Sequence, residues 1–200
     1  EGMFRIKGTD RGIGLYELAR AVRGLNDLPD DLAGGLSVIE SNEMHTPVFP
    51  NGCHICEVEV DEETGFVEIA RYASIDDVGR AINPLIVDGQ THGGIVQGVG
   101  QAMWEECICD EDGQPLCGSF MDYGMPRADQ FPFFTTELNE VPSPTNPLGV
   151  KAGGEGGTTP APAVILNAVV NALRPLGIND IKMPVTPLKV WRAMQAAKNC

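Results

Sequence analysis

No apolar run in this sequence approaches the roughly 20 residues that a membrane-spanning helix requires. With 42% hydrophobic residues, it reads instead as soluble and globular. Positive charge is also scarce: 14 Lys and Arg stand against 28 Asp and Glu, a formal net charge of −14. Such a chain repels phosphate backbones, so nucleic acid is excluded as an expected partner. The acidic residues are dispersed rather than gathered in a tail, as suits a solvated enzyme surface. The opening residues Glu1-Gly2-Met3-Phe4-Arg5-Ile6 contain neither a basic nor an apolar leader stretch, so no signal peptide is expected. No initiator Met stands at position 1, and the sequence reads as a piece of a longer polypeptide.

Zinc ligands in the right arrangement are missing too. Six cysteines are present, with Cys53-His54-Ile55-Cys56 the most suggestive group. It leads into Glu57-Val58-Glu59-Val60, whose alternation predicts a strand. Residues three apart on a strand point to opposite faces, so Cys53 and Cys56 are poorly placed to share an ion. Cys107, Cys109 and Cys117 do not supply a second knuckle of tetrahedral spacing. The cysteines are expected to be plain buried thiols in a reducing cytoplasm.

Two hundred residues suffice for one substantial domain, or for two small ones. The pattern predicts a short strand at 5–7 and a helix at 15–23 with Leu15, Leu18, Ala19 and Val22 on one face. A Pro- and Gly-punctuated loop follows over 25–50, with a possible subdivision near 48. A hairpin is expected from arms at 55–60 and 66–73 around Asp61-Glu62-Glu63-Thr64-Gly65. Strands are predicted at 118–124, 133–141 and 180–183, and helices at 85–106, 163–173 and 187–198. Pro160 fits a first-turn position with Thr158 or Thr159 as N-cap, and Val190, Trp191 and Met194 should face inward from the last helix. The mixture predicts an α+β fold, a mixed sheet with packed helices.

Two features are chemically pointed. On the helix at 85–106, Gln90, Gln97 and Gln101 fall within about 40° of one another, with Gly94 on the same stripe. Each interior glycine costs about 1 kcal/mol of helix stability. Something must therefore come close to this backbone, either a ligand or a tightly packed neighbouring element. The second feature is Gly153-Gly154-Glu155-Gly156-Gly157 ahead of a helix. Glycines permit close backbone approach and leave Glu155 as the only side chain on the loop. A phosphate cradle, a structural turn and a general base over a bound ligand all fit. The central Glu disfavours phosphate, and Lys151 precedes the glycines rather than following them.

The stretch Asn146-Pro147-Leu148-Gly149-Val150-Lys151-Ala152-Gly153-Gly154-Glu155-Gly156-Gly157-Thr158 closely resembles the G-x-K-G-x-G-E motif of the molybdenum hydroxylases. These are the xanthine dehydrogenases, aldehyde oxidases and aerobic carbon monoxide dehydrogenase large subunits. Asp76-Asp77-Val78-Gly79-Arg80-Ala81-Ile82-Asn83-Pro84 resembles their D-x-G-x-x-x-N-P turn, and 88–102 their cofactor-side helix. Pro184-Val185-Thr186-Pro187-Leu188-Lys189-Val190-Trp191 resembles their C-terminal P-x-T-P-x-x-V-W. Four motifs in the family's order span nearly the whole chain from Gly8. One departure is Ala152, where the family commonly has Gly.

The resemblance implies that residues 1–200 are the C-terminal part of a molybdopterin-binding domain. Glu155 matches the glutamate that takes the proton from the hydroxyl on molybdenum, and burial should raise its pKa toward neutrality. Gln97 matches the glutamine at the molybdenum end of the cofactor. With Gly98, Gly153 and Gly154 it makes up the expected cofactor-binding set, and no side chain is expected to ligate metal. The implied cofactor is a molybdenum pyranopterin (molybdopterin), either alone or as the cytosine dinucleotide. FAD and [2Fe–2S] clusters are expected on partner subunits or domains, since no cysteine run here resembles a cluster-binding one. The remaining implications are an upstream part of the same subunit, a cytoplasmic location, and an aldehyde, an N-heterocycle or carbon monoxide as substrate. A non-catalytic module that holds another anionic ligand in the glycine loop is the alternative.

Overall fold

The computed structural model describes residues 2–25, 28–29, 39, 41, 43 and 45–198. It divides into two compact units, 1–43 and 44–200. In the first, β1 (Met3–Arg5) pairs antiparallel with β2 (Gly12–Gly14), and α1 (Leu15–Arg23) follows directly. The expected strand at 5–7 thus lies two residues earlier, because its partner is β2, which the sequence pattern did not suggest. On α1, Leu18, Ala19 and Val22 are half-buried while Leu15 is exposed. The loop expected over 25–50 falls largely outside the described residues.

The second unit is built on a hairpin of β3 (Asn51–Val60) and β4 (Val67–Asp77), with β5 (Thr135–Leu138) parallel to β4. α2 (Pro84–Met103), α3 (Ala161–Leu173) and α4 (Pro187–Lys198) complete it. This is the α+β mixed sheet with packed helices that the sequence predicted. α3 lies against β3 and α2. Its Ala161, Ile165, Val169 and Leu173 recur every fourth residue and are all buried, the stripe of a core helix. Each full burial of a side chain such as Ile165 contributes about 1.5–3 kcal/mol.

One irregularity in β4 determines which residues face inward. Glu57 pairs with Arg71 and Val58 with Ile69, so Ala70 is an extra residue. Such a bulge reverses the alternation beyond it. Val67 and Ile69 are buried before the bulge, and Tyr72, Ser74 and Asp76 after it. An apolar half-strand is followed by a polar one on the same face.

α2 starts where Asn83-Pro84 predicts: the Asn83 side chain accepts a hydrogen bond from Ile86 N at 3.3 Å, and Pro84 opens the first turn. Its glycines have different tasks. A Cβ on Gly98 would stand 2.6 Å from Thr158 O and 2.8 Å from Ala161 Cβ, whereas one on Gly93 would meet nothing. Gly94 and Gly98 therefore serve tight packing against the 157–162 segment. At the other end of the unit, Gly65 has φ 75° and its backbone rests on α4, with Trp191 N only 2.6 Å from where a Cβ would be.

Several expectations are corrected. Residues 118–124 form turns rather than a strand: Ser119 Oγ donates to Asp122 Oδ2 at 2.6 Å and Asp122 N to Ser119 O, local bonds that compete with extended backbone. Residues 180–183 lack a strand partner and run into the cis Met183–Pro184 bond. Val185 N then ties this segment to Ala102 O at 2.7 Å. Neither threonine caps α3, whose N-cap is Pro160 without a side-chain bond. Thr158 Oγ1 donates to Gln97 Oε1 and Thr159 Oγ1 to Glu155 O instead. Val190 and Met194 are buried, but Trp191 is 38% exposed. No helix among the described residues is long and apolar enough to cross a membrane.

The wedge between α2 and the glycine loop gives a direct test. A methyl on Gly157 would press on Ile95 N at 2.8 Å and on Thr91 O, both helix backbone. Gly157→Ala should destabilise the protein by about 1–3 kcal/mol, while Gly93→Ala should be neutral or stabilise it by up to about 1 kcal/mol. Denaturant titration of both variants measures this, and equal shifts of one sign would show that the contact is loose.

Candidate functional site

Two motif segments far apart in sequence are sewn together. Gly79, with φ 68°, bridges Val150, and Arg80 N donates to Gly149 O at 2.9 Å. Lys151 N donates to Val78 O at 2.8 Å, and the Lys151 ammonium is paired with the Asp77 carboxylate. Both side chains of that pair are only about a tenth exposed, at 12% and 10%. Asp77 Oδ1 also accepts from Gly79 N at 2.8 Å and Val141 N at 3.1 Å. Burial pushes the Asp77 carboxyl up, but Lys151 and the two backbone N–H groups outweigh it, and the net effect holds it below the usual carboxylate range. Lys151, which precedes the glycines, is thereby a structural tie and not a free phosphate ligand.

This stitching brings the glycine loop to the mouth of a cleft of about 320 Å³. Its wall includes Gly153, Glu155, Gly156 and Thr159 from the loop, His54 and Asp76 from the sheet, and Thr91 from α2. Gly154 is exposed, with open space where a Cβ would be. Ala152, the departure from the motif, is accommodated in ordinary backbone, because no described non-glycine residue has positive φ. Glu155 lines the cleft but is exposed. The burial expected around it is not provided by the described residues. Gln97 is exposed at the edge of the loop and accepts the Thr158 bond at 3.4 Å. Gly98 is covered by Thr158 and Ala161.

The cleft floor holds a polar chain that the sequence pattern did not reveal. The His54 side chain, 1% exposed, lies 2.9 Å from the Tyr72 hydroxyl through Nδ1 and 3.1 Å from Asp76 Oδ1 through Nε2. In the neutral tautomer with its proton on Nε2, that N–H donates to Asp76 and Nδ1 accepts from the Tyr72 O–H. Burial foremost, then Cys56 and Asp76, raises the Tyr72 phenol above its ordinary pKa. Two buried atoms in this group, Asp76 Oδ2 and Ser74 Oγ, have no partner. Leaving such an atom unpaired costs about 1–3 kcal/mol, and at the cleft the Asp76 Oδ2 acceptor has no donor among the described residues. His54 was hidden inside an apparent C-x-x-C. Only the inward phase of β3 identifies it.

The cysteines depart from expectation. Cys53, Cys107 and Cys109 are exposed, and Cys56 and Cys117 are half-buried. Burial first, then the charge of Glu57, pushes the Cys56 thiol up to about 12, which makes it inert as a nucleophile. Among the described residues, no three His, Cys, Asp or Glu side chains are grouped to hold a metal ion.

Comparison with known proteins adds independent findings. Residues 3–132 match the model of the molybdopterin cofactor-binding domain. The chain is 40% identical to the 6-hydroxypseudooxynicotine dehydrogenase complex subunit gamma of Paenarthrobacter nicotinovorans, over 97% of this chain and 24% of that protein. It is 34% identical to the carbon monoxide dehydrogenase large chain of Afipia carboxidovorans, over 94% of this chain and 23% of that one. The structure of reconstituted CO dehydrogenase from Oligotropha carboxidovorans superposes with a TM-score of 0.89 at 32% identity, covering 99% of this chain and 24% of that chain. The chain thus spans about a quarter of the length of these relatives.

The Asp77–Lys151 tie should be visible in acid. Because the folded pKa of Asp77 is depressed, its contribution is complete above the unfolded value of about 3.9 and is lost as pH falls through the lower folded value. Lys151→Met retains the stem but leaves the carboxylate without its cation, and should lower the melting temperature at pH 7 by at least about 4 °C. The deficit should shrink below about pH 4 as Asp77 protonates in both proteins. Melting curves from pH 3 to 7 check this, and a deficit independent of pH would rule out the ion pair as its source.

Proposed function

Because the chain belongs to the molybdopterin cofactor-binding domain family, we propose that it forms one wall of the cofactor site in the catalytic subunit of a molybdenum hydroxylase, with Glu155 as base. The observation that carries this reading is the shared cleft. A lone carboxylate on a glycine loop lines the same cleft as Asp76, whose buried Oδ2 has no partner. The pyranopterin fits this wall, since its ring system is rich in N–H and amino donors and Asp76, which lines the cleft, has an acceptor without a donor. When bound, the cofactor supplies the two-electron redox chemistry. Gly153 and Gly154 allow its close approach, Gln97 offers an amide at the loop edge, and Gly98 acts indirectly by admitting the 157–162 segment against α2.

Glu155 has one task in this scheme, to accept a proton at a carboxylate oxygen at the reacting centre. Its exposure among the described residues supports a reading in which the upstream part of the subunit completes the enclosure. Two carboxylates at the cleft, Glu155 and Asp76, disfavour the alternative of a free anion held there. The relatives' names include a nicotine 6-hydroxylase, carbon monoxide dehydrogenases and xanthine dehydrogenase subunits. These names support an N-heterocycle or carbon monoxide as substrate, with an aldehyde as the third class the motif resemblance implies. FAD and [2Fe–2S] centres on partner subunits or domains carry electrons away, in a cytoplasmic assembly.

In the intact subunit, Glu155→Gln should retain the cofactor and reduce turnover by roughly 10²–10⁴-fold. Turnover within about tenfold of the parent, at full cofactor occupancy, would remove Glu155 from the proton transfer. Gln97→Ala should lower cofactor occupancy or activity without altering the melting temperature. Gln114, in the distant turn after Asp110, is the control, and equal losses at both positions would reduce Gln97 to a surface amide.

A further inference from the structure

Beyond α2, residues 107–117 form a short hairpin that contains three of the cysteines. Cys109 and Pro115 are bridged antiparallel. The flanking bonds are Leu116 N to Ile108 O at 2.8 Å and Asp110 N to Gln114 O at 3.0 Å. Since these lie one residue to either side, Cys109 and Pro115 form a non-hydrogen-bonded pair. Extended by two residues, the same register sets Cys107 opposite Cys117, each next to a residue of the Leu116 N to Ile108 O bond. Cα atoms in such pairs are about 4.5 Å apart with both side chains on one face, inside the roughly 4.4–6.8 Å that a disulfide requires. Cys109 shares the face, but its own opposite is a proline. Its diagonal separation from Cys117 is about 7–8 Å, too long for a bond without backbone movement.

The side chains agree with the backbone register. The neighbouring Cys117 thiol, ahead of Cys109, holds the Cys107 thiol above its ordinary pKa. Cys107 is exposed and Cys117 half-exposed, so a small oxidant reaches the pair. Nothing in this geometry depends on the cofactor reading.

We propose that Cys107 and Cys117 are the site of a reversible cross-strand disulfide, formed by exchange with a low-molecular-weight disulfide such as oxidised glutathione, while Cys109 stays reduced. One protein thiolate attacks a sulfur of RS–SR, forming a mixed disulfide and expelling RS⁻. The second protein thiolate attacks the protein sulfur of that intermediate, forming the Cys107–Cys117 bond and expelling the other RS⁻. Two protein thiols give up two protons and two electrons, and RSSR becomes two RSH. The hairpin holds the second thiol against the first, so ring closure outruns escape of the mixed disulfide.

The test uses the intact native protein equilibrated with glutathione at several ratios of reduced to oxidised form, quenched with an alkylating agent and mapped by non-reducing peptide mass spectrometry. The expected result is a single cross-linked species joining Cys107 to Cys117, a loss of two alkylatable thiols, and full recovery with dithiothreitol. Cys109→Ser should behave as the parent, and Cys117→Ser should leave Cys107 alkylated or carrying glutathione. Alkylation of both Cys107 and Cys117 at every ratio would overturn the proposal. So would a cross-link through Cys109, or stable glutathione adducts on both residues without a cross-link.

Discussion

The site depends on one contact more than on any other: the joining of the Asp77-Val78-Gly79 turn to the Gly149-Val150-Lys151 segment. These stretches are some 70 residues apart, so their union closes a long loop and must outweigh its entropy. It does so with backbone and charge together. A bridge between Gly79 and Val150, two flanking N–H bonds and a sheltered ion pair all act within a few residues. Gly79 is required there because a side chain would collide with Gly149 and stand 3.0 Å from Lys151 N. Once this seam exists, the glycine loop has one place to go, over the end of the sheet and onto α2. Glu155 inherits its position from it.

The second constraint is the absence of side chains along the α2 face that meets the loop. Gly94 and Gly98 bring Thr158 and Ala161 close to the helix axis, and the helical stability lost to glycine is offset by packing. The two readings of the glutamine stripe are therefore divided between neighbours. The glycines belong to the packing reading, while Gln97 stays at the surface with its amide free for other contacts beyond its bond to Thr158.

Much of the fold was legible because each legible element has a local cause. The β3–β4 hairpin follows from alternation and from an Asp61 carboxylate that gathers the turn N–H groups of Glu63 and Thr64. The start of α2 follows from Asn83 and Pro84, and α3 from its four-residue stripe. What was illegible depends on partners. Residues 118–124 have strand-like composition but no neighbouring strand, and a serine–aspartate turn prevails. The Tyr72–His54–Asp76 chain escaped because alternation on either side of Ala70 is regular and only the pairing with β3 shows the change of phase. At the site itself, Glu155 stood out through its glycines, whereas its exposure among the described residues could not be read from them.

That extra residue in β4 acts as a frame boundary written into a strand. Upstream of Ala70 the odd-numbered positions look inward, and downstream the even-numbered ones do, so the two halves draw on different sets of codons for the same face. Substitutions at 76 can alter the donor demand of the cleft without entering the register that seals Val67 and Ile69 into the core, whereas Tyr72 belongs to that core as well as to the polar chain. Sliding the boundary by two residues would exchange one sealed position for one in phase with the cleft. The location of a single unpaired alanine thus sets how much of this strand is scaffold and how much is available for chemistry.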